Sequence, residues 1–308
     1  ANISALTSTG LAGLTGANVS VEGLSFTLDS LSLQNNNSLP TVRLQGAVSL
    51  YGMSIPVNNA NYVQINSNGI DLTGLASTVS SGALSLGGMT LGSSQMIVSY
   101  ATASQTLSVT GSSSAAVSGL GTMTVGLGAG ATQGLVVTNG AFVGFDAAVG
   151  ISTIIAGGTF TSNSTMTYNN IANTFTVIGN ATEVIGTGSS AKTLSLTLGN
   201  AAVPATATTV AIPATKGIVI QNNALQSLNA RATATNWSIA GTNLSFDALV
   251  NYTPSNDQLG VQGSGTFTQS SIGTLNVQMG TMPIGSDAGV VGLKISGGQV
   301  SALDMTVN

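Results

Sequence analysis

Cysteine and histidine are absent from the 308 residues, and lysine and arginine together number only five. The first two absences exclude a disulfide framework, a thiolate or imidazole metal site, and a Cys–His or Ser–His nucleophile. The basic residues, Arg43, Lys192, Lys216, Arg231 and Lys294, stand singly, and the net charge is −4. No phosphate-binding surface can be built from them, so nucleic acid is not expected as a partner. Long apolar runs are missing too. Without 18 consecutive apolar residues there is no transmembrane helix. Aromatics at 4% and charges at 5% suit neither the girdles nor the lumen of a membrane barrel. No membrane insertion is expected. The chain opens Ala-Asn-Ile-Ser, with neither an initiator Met nor a signal peptide, as a processed or excised protein would.

Low charge is joined by 43% hydrophobic residues, a composition opposite to that of disordered chains. Gly, Ser, Thr, Asn and Ala take the place of charge, as in β-strands with uncharged outer faces and tight turns. The clearest unit is Ser164 to Gly179, which reads as two short strands joined by an Asn-rich turn. Tyr100 stands eleven residues before Gly111, Tyr168 eleven before Gly179, and Tyr252 eleven before Gly263. The closing strands match as well: Leu107-Ser-Val109-Thr-Gly111, Phe175-Thr-Val177-Ile-Gly179 and Leu259-Gly-Val261-Gln-Gly263, with Val42-Arg-Leu44-Gln-Gly46 as a looser copy. Alternation places the two apolar residues and the Gly on one strand face. Gly111, Gly179 and Gly263 are therefore expected on buried faces, in equivalent places. Asn68-Gly69, Asn139-Gly140, Asn222-Asn223 and Gly297-Gly298 mark hairpin turns. Pro56 puts the strand Met53 to Val57 at an edge or makes it irregular.

Short motifs beginning at Ile3, Ile70, Phe142, Leu225 and Val300 set a period. The chain then divides into one continuous array with repeats at 1–69, 70–141, 142–224 and 225–299, and the start of a fifth at 300–308. Residues Ala201 to Ala214 read as an insertion in the longest copy. The expected fold is all-β: an elongated tandem-repeat antiparallel β-meander, as a two-layer or coiled sheet. A parallel β-helix is the architectural alternative. Hairpin signals fall where its coils would need wide turns.

Candidate chemistry is sparse. The nine acids are Glu22, Asp29, Asp71, Asp146, Glu183, Asp247, Asp257, Asp287 and Asp304. A glycosidase-type pair could form from distant positions, but solvated or turn carboxylates are the plainer reading. Neither calcium loops nor phosphate loops are spelled out. The pairs Thr122/Thr124, Thr165/Thr167, Thr174/Thr176 and Thr266/Thr268 put two hydroxyls on one strand face. Interruptions in other copies favour ordinary β-propensity over an ice-binding ladder. Tyr100, Tyr168, Tyr252 and Trp237 read as packing landmarks before a sugar platform. Asn-x-Ser/Thr occurs at Asn2, Asn18, Asn36, Asn163, Asn180, Asn236, Asn243 and Asn251. That is about its chance frequency, so glycosylation is possible without being indicated. No catalytic, cofactor-binding or metal-binding residue is expected, and no enzyme.

The alternation of Gly134-Leu-Val-Val-Thr-Asn-Gly140, Leu225-Gln-Ser-Leu228 and Phe175-Thr-Val-Ile-Gly179 resembles the tandem β-repeats of very large secreted or surface-anchored bacterial proteins. The resemblance implies an extracellular or cell-surface structural, adhesive or matrix role. The expected function is a subunit or segment that builds a fibre, sheath or surface layer by end-to-end strand association. An adhesin or receptor-binding stalk is the alternative, and a polysaccharide-acting β-helix enzyme the lesser one. Residues 292–308 read as a surplus pair of strands, and Ile3 to Leu6 as a half-motif lacking its partner. Head-to-tail self-association through these ends is the expected route.

Overall fold

The computed structural model describes residues 16, 18–21, 24–36, 39–57, 63–66, 69–71, 77–79, 83–101, 103–239, 241–280 and 292–307. The half-motif Ile3–Leu6, Glu22 and Asp287 lie outside the described residues, as do Asn68 and the side chain of Asp71. The fold is all-β and antiparallel. Every described pairing between named strands is antiparallel, and parallel contact is limited to an isolated bridge between Ser118 and Ala224. The parallel β-helix is thereby set aside. Two compact units are present, residues 1–115 with 125–148, and residues 116–124 with 149–308.

In the first unit, β1 (Asn18–Val21), β2 (Leu24–Asn36), β3 (Leu39–Leu50), β4 (Met53–Val57), β5 (Val63–Asn66) and β6 (Gly69–Asp71) form one sheet. Its order is β1-β2-β3-β5-β6, with β4 paired to β3. Pro56 is exposed on β4, whose only strand neighbour among the described residues is β3. Further strands are β7 (Ser77–Val79), β8 (Ala83–Leu86), β9 (Met89–Ala101), β10 (Thr106–Val117), β11 (Gly121–Leu127), β12 (Gly134–Thr138) and β13 (Ala141–Ile155). The second unit continues with β14 (Gly158–Asn169), β15 (Thr174–Ile185), β16 (Lys192–Leu198), β17 (Gly217–Gln221), β18 (Ala224–Ile239) and β19 (Thr242–Thr253). It ends with β20 (Gln258–Gln269), β21 (Gly273–Met279), β22 (Leu293–Ser296), β23 (Gln299–Leu303) and β24 (Met305–Val307).

One pairing scheme recurs. A long strand is covered along its edge by two shorter strands laid end to end. Val42–Leu44 of β3 pair with β5, and Gly46–Leu50 with β4. Phe175–Val177 of β15 pair with β17, and Gly179–Ile185 with β16. Gln258–Val261 of β20 pair with β22, and Gly263–Gln269 with β21. Between β16 and β17 the chain makes an excursion at residues 199–216. The seam is set by glycine at Gly134, Gly217 and Gly292, with φ of +80°, +77° and +70°. A Cβ at these places would run into the carbonyl oxygen of Val109, Val177 or Val261 respectively. Only a residue without a side chain allows both the left-handed turn and that approach.

The hairpin register matches too. Gly111 faces Met96, Gly179 faces Ser164 and Gly263 faces Ala248 across their strand pairs. Gly263 is buried, whereas Gly111 and Gly179 are half-buried. The difference has a backbone cause. Gly111 and Gly179 take φ of +124° and +143°, so the strand bends there. At Gly179 the Cβ direction meets the adjacent strand at Ser164 Cα, 3.0 Å away.

Alternation sends Phe175, Val177, Ala181 and Ile185 of β15 inward with Phe160 and Met166 of β14. Leu194, Leu196 and Leu198 of β16 are buried as well. On β18, Ala230, Ala232 and Ala234 are buried, followed by Trp237 against Phe246 at 5.6 Å. The apolar segment Ile151 to Phe160 is broken by a turn. Ala156 and Gly157 take φ of +50° and +78° and separate β13 from β14. The excursion at 199–216 is closed by Asn200 and Thr215, whose side chains bond at 2.6 Å, and Val210 N–H donates to the buried Ser264 hydroxyl. Residues 292–307, read above as a surplus pair, are paired within the chain: β22 with β20, β23 with β22, and β24 with β21.

Candidate functional site

Two places in the second unit gather polar side chains. The first is an open groove of about 650 Å³ across the outward faces of β11, β13, β14 and β15. Its floor is Gly150. A Cβ there would lie 2.6 Å from Thr124 Oγ1 and 3.8 Å from Asn163 Oδ1, so the missing side chain makes the hollow. Thr161 and Thr182 join hydroxyls at 2.8 Å along one wall, and Asn163 stands directly opposite Asn180. Thr124 donates to the Gly150 carbonyl at 3.3 Å. Apart from Gly150, Ile151 and Ala181 the lining residues carry hydroxyls and amides, with neither charge nor aromatic ring. Of the Thr pairs, Thr122 and Thr124 reach this groove. Thr165, Thr167, Thr174 and Thr176 share the β14–β15 pair, where Thr167 faces Thr176 and Thr165 faces Ile178. The isoleucine breaks any regular hydroxyl ladder.

The second place is the meeting of Glu183, Asp257 and Tyr252. Glu183 occupies an inward position of β15, between Phe160 of β14 and Leu194 of β16. It is 0% exposed, and neither carboxyl oxygen has a hydrogen-bond partner. Gly158 fits against it: a Cβ there would collide with Glu183 Oε1. Asp257 ends the Pro254–Asn256 3₁₀ turn in a left-handed conformation, φ +46°. Its Oδ1 accepts the Tyr252 hydroxyl at 2.9 Å and the Ala156 N–H at 2.7 Å. Burial, with the Asp257 charge second, pushes the Glu183 carboxyl up to about 8. Burial, then the bond to Asp257, pushes the Tyr252 hydroxyl up to about 12.

The remaining acids are ordinary by comparison. Asp29 is exposed on β2, and Asp304 is exposed between β23 and β24. Asp146 caps the start of β12, accepting from Gln133 and Gly134 N–H at 2.6 and 3.0 Å. Asp247 pairs with Arg231 through both carboxylate oxygens on the outer face of β18 and β19. Among the described residues no group of three or more acids could hold a metal ion, and no helix is long and apolar enough to cross a membrane. Trp237 is 4% exposed and donates to the Thr193 carbonyl at 3.0 Å, and Tyr168 stacks on Phe175 at 4.6 Å. Both are part of the packing.

A signal for the second place was present in the repeat. Five residues after Tyr100, Tyr168 and Tyr252 stand Gln105, Asn173 and Asp257, all left-handed at φ +49°, +54° and +46°. Tyr168 donates to Asn173 at 2.7 Å as Tyr252 does to Asp257. Carrying the alignment through the turn marks Asp257 as the acidic version of a neutral device. Glu183 is marked by the alternation Ala181, Glu183, Ile185 on a buried face. No protein-family model matches the chain, and no curated protein or solved structure matches it.

Proposed function

We propose that the chain is an extracellular structural protein that builds a fibre, sheath or surface layer by strand addition between copies, and that it has no catalytic activity. The observation that supports this is the open edge of the first sheet. Among the described residues β1 has a strand neighbour on the β2 side only. Its sequence, Asn-Val-Ser-Val, has none of the lysine or proline that blunts exposed edges. Main-chain groups on such an edge bond readily to another strand, with register set by alternating side chains. The surplus strands of residues 292–307 do not support the association, because they pair within the chain. The carboxylates that converge, Glu183 and Asp257, are poorly suited to hydrolysis, since a buried Glu183 offers no face to a substrate. The test is sedimentation of the chain across a hundredfold concentration range. Assembly that Asn18→Lys with Ser20→Lys abolishes, while the fold persists, supports the proposal. A chain that stays monomeric throughout rejects it.

The groove over Gly150 favours a second reading, an adhesin or receptor-binding stalk. Uncharged hydroxyls and amides suit a neutral, hydroxyl-rich ligand such as a saccharide. Binding of neutral oligosaccharides, weakened by Asn163→Ala and Thr182→Val, would separate it from the first.

A further inference from the structure

The backbone of Ala156 is held from two sides. Its N–H donates to Asp257 Oδ1 at 2.7 Å, and its carbonyl accepts the Gly298 N–H at 2.7 Å. These bonds dock the β13–β14 turn onto the turn that follows β19 and onto the β22–β23 turn. Behind the docked turn, Gly158 lies against the Glu183 carboxyl. We infer that Glu183 and Asp257 form a proton-controlled latch, in which neutral Glu183 keeps the β13–β14 turn docked and ionised Glu183 releases it.

The surroundings leave an ionised Glu183 nothing to bind. Its strand neighbours Phe160 and Leu194 are apolar, and both of its oxygens lack donors. The titratable groups beside it are Asp257, which is negative, and Tyr252, whose hydroxyl is already given to Asp257. Lys192 on β16 stands opposite Ile185 at the strand end, Lys294 on β22 stands opposite Gly260, and the Gly297–Gly298 turn carries no charge. An unpaired charge in such a place must find water or move. Gly158, where the chain leaves the turn, lies against the carboxyl, so the turn is what has to lift. Lifting frees the Ala156 N–H and carbonyl and the Gly298 N–H together. The device is built from a repeated part, because the corresponding left-handed residues Gln105 and Asn173 are neutral.

The test is amide hydrogen exchange of the full chain from pH 5.5 to 10, corrected for intrinsic rates, with carbon-13 titration of the Glu183 carboxyl alongside. Protection at Ala156 and Gly298 should fall more than tenfold as Glu183 titrates near pH 8. Glu183→Gln should keep both amides protected to pH 10, and Asp257→Asn should move the midpoint down. Unchanged protection across the range overturns the latch, as does the same loss in Glu183→Gln. Titration of Glu183 below pH 6 overturns it also, and that measurement stands even if the variants fold poorly.

Discussion

The hairpins closed by Tyr168–Asn173 and Tyr252–Asp257 share a register, a left-handed closing residue and a tyrosine hydroxyl given to that residue's side chain. They differ by an amide against a carboxylate. In the first the bond is local and ends there. In the second the acceptor carries charge, takes a second donor from Ala156, and raises the proton affinity of a glutamate on a different hairpin. A change of one atom type at an equivalent position thus turns a local fastening into a coupling between distant parts of the unit.

The largest expected effect comes from Glu183 itself. Its folded-state pKa lies above the unfolded value of 4.5, so the native protein holds the proton more tightly than the unfolded chain. The stability it contributes is complete below pH 4.5 and is lost as pH rises through about 8. At about 1.4 kcal/mol per unit the loss reaches at most about 5 kcal/mol. Denaturant midpoints at pH 5 and pH 9 should show wild type weakening on the alkaline side and Glu183→Gln remaining level. Second in size is the glycine of the two closing strands. Gly179→Val, through backbone strain at φ +143°, and Gly263→Val, through overpacking, should each cost about 1–3 kcal/mol in chemical unfolding. Gly263 leaves the less room, its Cβ direction lying 2.6 Å from Ala248 Cα. Third, Tyr252→Phe should cost more than Tyr168→Phe, about 1.5 against about 1 kcal/mol, because a charged acceptor bonds more strongly than an amide. Equal costs at pH 6 would remove the distinction between the two hairpins. Smallest is Asp257→Asn, which makes the second hairpin chemically like the first. It should lower the Glu183 midpoint part of the way and leave the larger contribution, burial, in place. A carbon-13 titration reads the shift directly.

Strand alternation made the all-β class legible from sequence, and the Tyr-to-Gly spacing made the hairpin register legible. The turns at Asn139-Gly140, Asn222-Asn223 and Gly297-Gly298 followed from residues that tolerate positive φ, and they are left-handed here. The β13–β14 turn was not legible, because Ala156 gives no local sign of a left-handed conformation. Its geometry is held by partners a hundred residues away, which no window of sequence contains. The groove was hidden for a related reason. Gly150 looks like any other strand glycine until Thr124 and Asn163 are brought beside it. The buried carboxylate stood in plain view on an apolar face, but its meaning depended on a turn from another hairpin.

The seam between end-to-end strands has a consequence for how such a chain can change. At residues 128–134, 199–217 and 280–292 the flanking glycines fix where the chain leaves the ladder and where it returns. The register of β10 and β15 is carried by their ladders with β9, β12, β14, β16 and β17, and lengthening a loop adds only about 0.6 kcal/mol per doubling. The tip of such an excursion is a cloning site made of backbone: foreign peptide entered there leaves the strand ladders of the frame in their register. A library inserted between Ala207 and Thr208, on the exposed tip of the longest excursion, would vary the surface while the Val203–Ile212 bridge and the Val210–Ser264 bond stayed in place.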